Sequence, residues 1–267
     1  VTARTNDFLG IAASVRPRLA RLAHLADDPG VLAISVDLYD TLLLRRCRPE
    51  LWRFADVARA QDAALVRAGL ASPGAAALYR SRLRVHKACH DRVRDGPGEV
   101  RQADVAAGVA AALGLTGAAA GVLAAAETDH EITAVRPDRA LAALLVRLAR
   151  DRPVVLTSDM YLPAAAVRRV LATAVPDLAG LPLFVSGEIG LTKRHGHLFG
   201  HVAAALDLPP AAILHVGDNP VADVRRARGA GLRALWWPRP WWWRRALAAQ
   251  DRLVRWRLRR AGAIPRG

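Results

Sequence analysis

Lysine is nearly missing from this chain of 267 residues. Only Lys87 and Lys193 are lysines, against 37 arginines, and Met160 is the sole methionine. Cysteine occurs twice, at Cys47 and Cys89, with no CxxC pair, which excludes a disulfide framework and a paired-thiol zinc cluster. Cys89-His90 with His86 has no second cluster at matching spacing, so both cysteines read as ordinary thiols of a reducing compartment. Long apolar runs are lacking too. The N-terminal FLGIAASV is eight residues long and is followed at once by Arg16 and Arg18. That falls short of the ~20 residues of a spanning helix, and no convincing cleavage site follows. A cytoplasmic location is the expectation.

What is present is a chain 52% hydrophobic, rich in Ala, Leu and Val, with enough apolar residues for a sizeable core. The formal charge is +15. Residues 236–267 hold nine arginines against one acid, Asp251, so over half of the excess sits in the tail. A positive field draws phosphorylated metabolites, anionic lipid and nucleic acid alike. The even spread of arginine elsewhere reads as compositional bias, so no specific nucleic-acid partner is expected.

Residues 8–26 alternate apolar and basic at helical spacing and stop at Asp27-Asp28-Pro29-Gly30. VLAISV (31–36) is a short buried-strand pattern. Helical patterns then run over 50–70, 74–92, 102–113, 116–132 and 137–150, with Pro49 opening the first. Beyond them the rhythm changes. Strand patterns at 153–157, 183–185, 212–216 and 232–236 alternate with helices at 164–174, 197–206 and 221–230. That alternation predicts parallel strands with right-handed crossovers: an α/β fold with a Rossmann-like parallel sheet core. The helices between the first and second strands read as an inserted all-helical cap. The expected division is an N-terminal helix (1–30), a core (31–48 and 138–237), the cap (49–137) and a basic Trp/Arg tail (238–267).

Ligands of open α/β sheets bind beyond the C-terminal ends of the strands. The residues there are Asp37, Tyr39, Asp40 and Thr41 after the first strand, and Thr157, Ser158 and Asp159 after the second. The third leads through Ser186-Gly187-Glu188 to Lys193, and the fourth to Gly217-Asp218-Asn219 and Asp223. Several carboxylates, one lysine and hydroxyl groups on one sheet edge suit a carboxylate nucleophile working beside a divalent metal. A phosphoryl group and a carboxylate repel, so a hard cation and an ammonium must neutralise them before attack.

With those residues in order, the sequence resembles the haloacid dehalogenase superfamily, over 31–48 and about 138–237. DLYDTLL, VVLTSDMYLP, GLTKRHGHLF and HVGDNPVAD match its four motifs. The resemblance implies Asp37 as nucleophile, Ser158 as phosphate-holding hydroxyl with Thr157 as second choice, and Lys193 as charge neutraliser. It implies Mg²⁺ held by Asp37, Asp218, Asp223 and the backbone carbonyl of Tyr39, and a small phosphorylated substrate whose binding Thr41 assists. The wording DTLLLRR, SDMYLP and TKRHGHLF is similar to a bacterial branch often found with glycosyltransferases.

Tyr39 is the departure. Most phosphatases of the superfamily carry there a second aspartate that protonates the leaving group. A tyrosine is found there in its metal-free dehalogenases, so carbon–halogen hydrolysis is an alternative. Against it stand the retained Asp218 and Asp223, and Asp40 where dehalogenases have glycine. A catalytically reduced binding domain is a third reading. Asp40 is a candidate substitute acid, although Asp37 and Asp40 also suit capping of a helix near Leu42.

Other residues have two readings each. Asp159 serves as an N-cap or a site residue. His195, His197 and His201 read as solvated or capping. Arg80, Arg82, Arg84, His86, Lys87 and His90 form a basic cap face towards substrate, or a solvated one. Glu127, Asp129 and Glu131 line the cleft or decorate a helix. In the tail, Trp243, Ala246, Leu247, Leu253, Val254 and Leu258 share one helical face and arginines the other. The pattern fits a peripheral membrane or protein contact through 238–267, or a helix packed on its own core.

Overall fold

The computed structural model describes residues 7–264 apart from 95, 97 and 116, and of 7–15 the backbone alone. The outermost parts of the expected N-terminal and tail segments, 1–6 and 265–267, lie outside the described residues.

Helix α1 (Asp7–Ala26) leads through the turn at Asp27–Gly30 into β1 (Ala33–Asp37), every residue of which is buried. A strand buried along its whole length needs cover on both faces, so it takes the centre of a parallel sheet. A three-residue strand, β2 (Leu43–Arg45), carries the chain out of the core. Four helices follow: α2 (Glu50–Arg67), α3 (Ala75–Val93), α4 (Gln102–Ala112) and α5 (Gly117–Ala134). The return is β3 (Val135–Pro137), antiparallel to β2 with Arg45 opposite Val135. This two-strand stem has no counterpart in the sequence reading, because three-residue strands are too short to show a period.

The core resumes with α6 (Arg139–Leu148), whose N-cap Asp138 accepts from the Leu141 amide at 3.1 Å. Then come β4 (Val154–Ser158), α7 (Ala164–Ala174), β5 (Leu183–Val185), the single turn α8 (Ser186–Ile189) and α9 (His197–Ala205). Next are β6 (Ile213–Gly217), a π-helical stretch (Pro220–Arg226), the short α10 (Ala227–Gly229), β7 (Arg233–Trp236) and α11 (Trp241–Arg260). The sheet order is β5-β4-β1-β6-β7, all parallel. The expected parallel α/β core with its inserted helical cap is therefore what the chain forms. All strand C-termini point to one edge, with Asp37 beside Thr157 and Gly217 beside Trp236 in register.

The expected α-helix at 221–230 is mostly π-helical. The wider turn lets Asp223 point back towards the sheet edge, where its Oδ2 accepts from the Asn219 amide at 2.9 Å. Asp37 and Asp40 cap no helix among the described residues, since 38–42 form a tight loop in which the Leu38 carbonyl accepts from the Leu42 and Leu43 amides.

Two main apolar clusters form. One, around Leu22, Ile34, Val36, Leu145, Val167 and Val216, fills the core beside the sheet. The other, around Leu65, Leu78, Val105, Val109 and Leu123, fills the cap. Helix α11 bridges them: Trp243 is buried near the stem, and Val254 packs with Leu51, Phe54 and Leu83 of the cap. Ala246, Leu247 and Leu258 are partly covered, but Leu253 is exposed. It lies about a quarter-turn from Val254 and so leaves the buried face. Among the described residues no helix is long and apolar enough to cross a membrane.

Candidate active site

Asp37 ends β1, where the sheet stops supplying partners and its carboxylate emerges at the edge. Its Oδ1 accepts from Lys193 Nζ at 2.5 Å, and the same ammonium donates to Asp223 Oδ1 at 2.7 Å. All three side chains are buried. Asp37 Oδ2 is buried without a hydrogen-bond partner, and the buried Thr41 hydroxyl stands beside the same carboxylate and favours its ionised form. Asp218 stands half-buried in the same cleft, and its carboxylate makes no hydrogen bond among the described residues.

The charges are unbalanced in a definite way. Burial, with help from the Asp223 charge and against Lys193, pushes Asp37 up to about 7. Burial and then the Asp37 and Asp40 charges push Asp218 up to about 8. Burial also works on Asp223, but Lys193 and His215 outweigh it and hold its pKa well below the usual range. The Lys193 ammonium is disfavoured by burial, yet Asp223 and Asp37 raise its pKa, so it stays charged.

Those facts test the fit to a divalent cation. Ligand atoms of Asp37, Asp218 and Asp223 lie within 4.8 Å of one another. Hard oxygen donors crowded in a buried place, one of them orphaned, suit a cation such as Mg²⁺. Asp223 has both oxygens engaged, by Lys193, His215 and the Asn219 amide. The donors left over are Asp37 Oδ2 and the Asp218 carboxylate. No described hydrogen bond ends on the Tyr39 carbonyl.

The residues singled out from the sequence separate into those inside and those outside this site. Asp37, Tyr39, Asp40, Ser158, Asp159, Lys193, Asp218 and Asp223 line one cleft of about 400 Å³. Thr157 does not. Its hydroxyl lies 3.3 Å from Ser35 Oγ and 3.4 Å from the Val36 carbonyl, inside the sheet, because alternate strand residues face opposite ways. Asp40 adopts a left-handed φ of 68° and is clamped by Arg45, whose Nε and Nη2 donate to Oδ2 at 3.1 and 2.8 Å. Both donors go to the one oxygen, so that oxygen is engaged by Arg45 rather than free to reach a leaving group. Asp159 is no N-cap. It accepts from the Lys193 and Arg194 amides at 2.7 and 3.0 Å and so fixes the lysine loop.

Two glycines are required by close approach. A Cβ on Gly217 would collide with the Asp223 carboxylate, and one on Gly187 would stand 2.6 Å from the Met160 carbonyl.

His215 escaped the sequence reading. It is fully buried in β6, its Nδ1 2.9 Å from Ser35 Oγ and its Nε2 3.2 Å from Asp223 Oδ1. Burial lowers its pKa, so it is a neutral imidazole bracing Asp223 from behind. The only signal was a polar residue in ILHVG, which gains meaning once Ser35 is seen opposite it. His195 bonds Thr192 Oγ1 at 2.8 Å, and His201 meets the Phe184 ring edge-on.

In the cap, the basic run divides. Arg80, Arg84 and Lys87 are exposed, whereas Arg82 is buried, 2.5 Å from Glu127 and 2.8 Å from the Tyr161 hydroxyl of the core. Asp129 pairs with Arg169 at the surface. His86, His90 and Glu131 face a second cavity of about 210 Å³ between cap and core. Cys89 points instead into the cap cluster, so it does not converge with them. The Tyr39 hydroxyl and Glu131 Oε1 are buried without a hydrogen-bond partner, and the Arg45 guanidinium lies 4.9 Å from the centre of the Tyr39 ring.

No family model matches the chain. It is 40% identical over 119 residues to a phosphoserine phosphatase of Thermus thermophilus, covering 38% of this chain and 47% of the relative. The aligned part is thus about half the length of that relative. A 2-haloacid dehalogenase of Pseudomonas syringae pv. Tomato superposes with a TM-score of 0.55 at 17% identity, over 85% of this chain and 99% of that one. A HAD family enzyme of Bacteroides thetaiotaomicron, in complex with magnesium and inorganic phosphate, gives 0.51 at 14% identity over 79% and 97%. A haloacid dehalogenase-like hydrolase of Xanthomonas campestris gives 0.50 at 14% identity over 86% and 96%. The chain has the fold of the haloacid dehalogenase-like hydrolases, a parallel five-stranded α/β core with a helical cap inserted after its first strand.

Proposed function

We propose that this chain hydrolyses the phosphate ester of a small anionic metabolite through an aspartyl-phosphate on Asp37. One observation carries the reading: Asp37 bonds Lys193 through one oxygen and keeps the other buried, unpartnered and close to Asp218. The partial identity to a phosphoserine phosphatase supports it. Lys193 offsets the charge of the incoming phosphoryl group, Ser158 supplies a hydroxyl to a non-bridging oxygen, and Asp223 with His215 keeps Lys193 in place. Mg²⁺ held by Asp37 and Asp218, with the Tyr39 carbonyl beside them, would supply the remaining neutralisation. Tyr39 takes the sequence position, two residues after Asp37, at which most phosphatases of the superfamily carry the acid that protonates the leaving group. Burial raises the pKa of the Tyr39 hydroxyl further, and loss of such an acid costs about 10²–10⁴ in rate. Turnover is therefore expected for good leaving groups and slow for alkyl phosphates. The retained Asp218 and Asp223 weigh against a carbon–halogen hydrolase.

The test is phosphate release from p-nitrophenyl phosphate with and without Mg²⁺. Metal-dependent release lost in Asp37→Asn is expected. Release that survives the substitution would sink the assignment.

We also propose a peripheral role for α11. Trp241 and Trp256 are 64% and 52% exposed on a helix whose other face is already packed on the cap. Exposed indoles among arginines suit an anionic lipid surface. Co-sedimentation with phosphatidylglycerol vesicles, lost in Trp241→Ala/Trp256→Ala, is the expected result, and failure of the unsubstituted protein to sediment would refute it.

A further inference from the structure

Three cavities meet at Arg45. It belongs to the wall of the catalytic cleft, of the cap cavity, and of a third groove of about 740 Å³. That groove is flanked by Arg45, Arg46, Arg48, Arg53, Arg59 and His130, with Asp56 as its single acid. Asp56 is already used by Arg48 and Arg59, and Arg45 is used by Asp40. The Arg46 and Arg53 guanidinium groups donate no hydrogen bond among the described residues. Arg53 is also half-buried; burial and then the Arg45 charge lower its pKa, against Glu50, Glu131 and Asp40, which offset them only in part. Five guanidinium groups around one groove whose single lining acid is already paired favour an anion that completes the set.

The arginine-rich composition alone does not explain this placement. Most arginines elsewhere are spread over the surface, whereas these line one groove that adjoins the Asp37 cleft through Arg45. Forked guanidinium donors match the oxygens of a phosphate better than a lone ammonium would. The groove is also larger than the catalytic cleft, too roomy for one carboxylate.

We propose that the substrate carries, besides the phosphate ester presented to Asp37, a second phosphate or diphosphate group that lodges in this groove against Arg46, Arg53 and Arg59. The inference rests on the phosphatase reading above and specifies its substrate class: a phosphomonoester that is also an anion at its far end.

The test is calorimetric titration of the full chain bearing Asp37→Asn with fructose 1,6-bisphosphate and with fructose 6-phosphate. The bisphosphate is expected to bind about tenfold tighter. Adding Arg46→Gln and Arg59→Gln, both exposed and checked for folding by circular dichroism, should shrink that gap to about threefold or less. Arg46→Lys/Arg59→Lys should restore part of it. Equal affinity for the two sugars, or a gap that survives the glutamines, would overturn the proposal. Turnover of p-nitrophenyl phosphate by the unsubstituted protein tests the phosphatase reading separately. Turnover without a gap keeps the phosphatase and removes the groove, and a gap without turnover does the reverse.

Discussion

On the proposed mechanism, rate depends on Tyr39. It is buried, with Arg45 over one face of its ring and its hydroxyl unpaired near Glu131. Tyr39→Asp would place a carboxyl two residues after Asp37, at the cost of a cavity. We expect hydrolysis of alkyl phosphates to rise about 10²-fold, read as kcat on glycerol phosphate, with a lower melting temperature. An unchanged or lower kcat in a folded variant would show that tyrosine itself is the better group there. At this scale much of the site was legible. Asp37, Lys193, Asp218 and Asp223 each follow an apolar run, and a carboxylate or an ammonium at a strand end is conspicuous. Thr157 and Ser158 were not separable, because which of two adjacent hydroxyls faces the cleft depends on the pleat. His215 and Arg45 were hidden because their partners, Ser35 with Asp223 and Asp40, become neighbours only through pairing and loop closure.

Helices and strands carry their own predictions. On α3, His86 lies against Phe54, His90 and Tyr161, with Glu50, Arg82 and Glu127 acting on it. Burial, then the His90 charge, lowers its pKa to about 4 from an ordinary 6.5. The unfolded chain therefore takes up the proton first, so stability is full above pH 6.5 and is lost as pH falls towards 4. Urea midpoints should drop over that window, and less steeply in His86→Gln. On α11, Val254 is the residue that fastens the helix to Leu51, Phe54 and Leu83. Val254→Asp buries an unpaired carboxylate and should cost about 3 kcal/mol, read by denaturation, with faster tryptic cleavage within 241–260. Long helices and central strands were readable from their periodicity. The three-residue strands of the stem were not, nor was the π-helical stretch, which exists because Asp223 must turn inward beside Gly217.

Across the whole molecule the +15 charge sets the conditions of encounter. A cationic protein gathers anionic substrates by long-range attraction that salt screens within about 10 Å at 0.1 M. We expect KM for a phosphorylated substrate to rise several-fold between ~0.02 and ~0.2 M NaCl while kcat holds, and a flat KM would place recognition wholly in short-range contacts. The order of core, cap and tail follows from the sequence because each has its own composition and rhythm. How the tail ties cap to core does not, since that depends on which face of α11 finds Leu51 and Phe54. The stem has one more consequence. Because Arg45 and Val135 lie opposite each other, the cap leaves and re-enters the core at a single point. Topologically it is a detachable insert: a short turn joining β2 to β3 would give a continuous chain without it. Besides the bonds that Arg82 and Asp129 make to Tyr161 and Arg169 of the core, the insert is tied to this protein by α11, whose Val254 and Leu258 would lose their cover on excision. A foreign cap grafted onto the same stem would have to provide a ledge for that helix, so the tail limits which caps this core can accept.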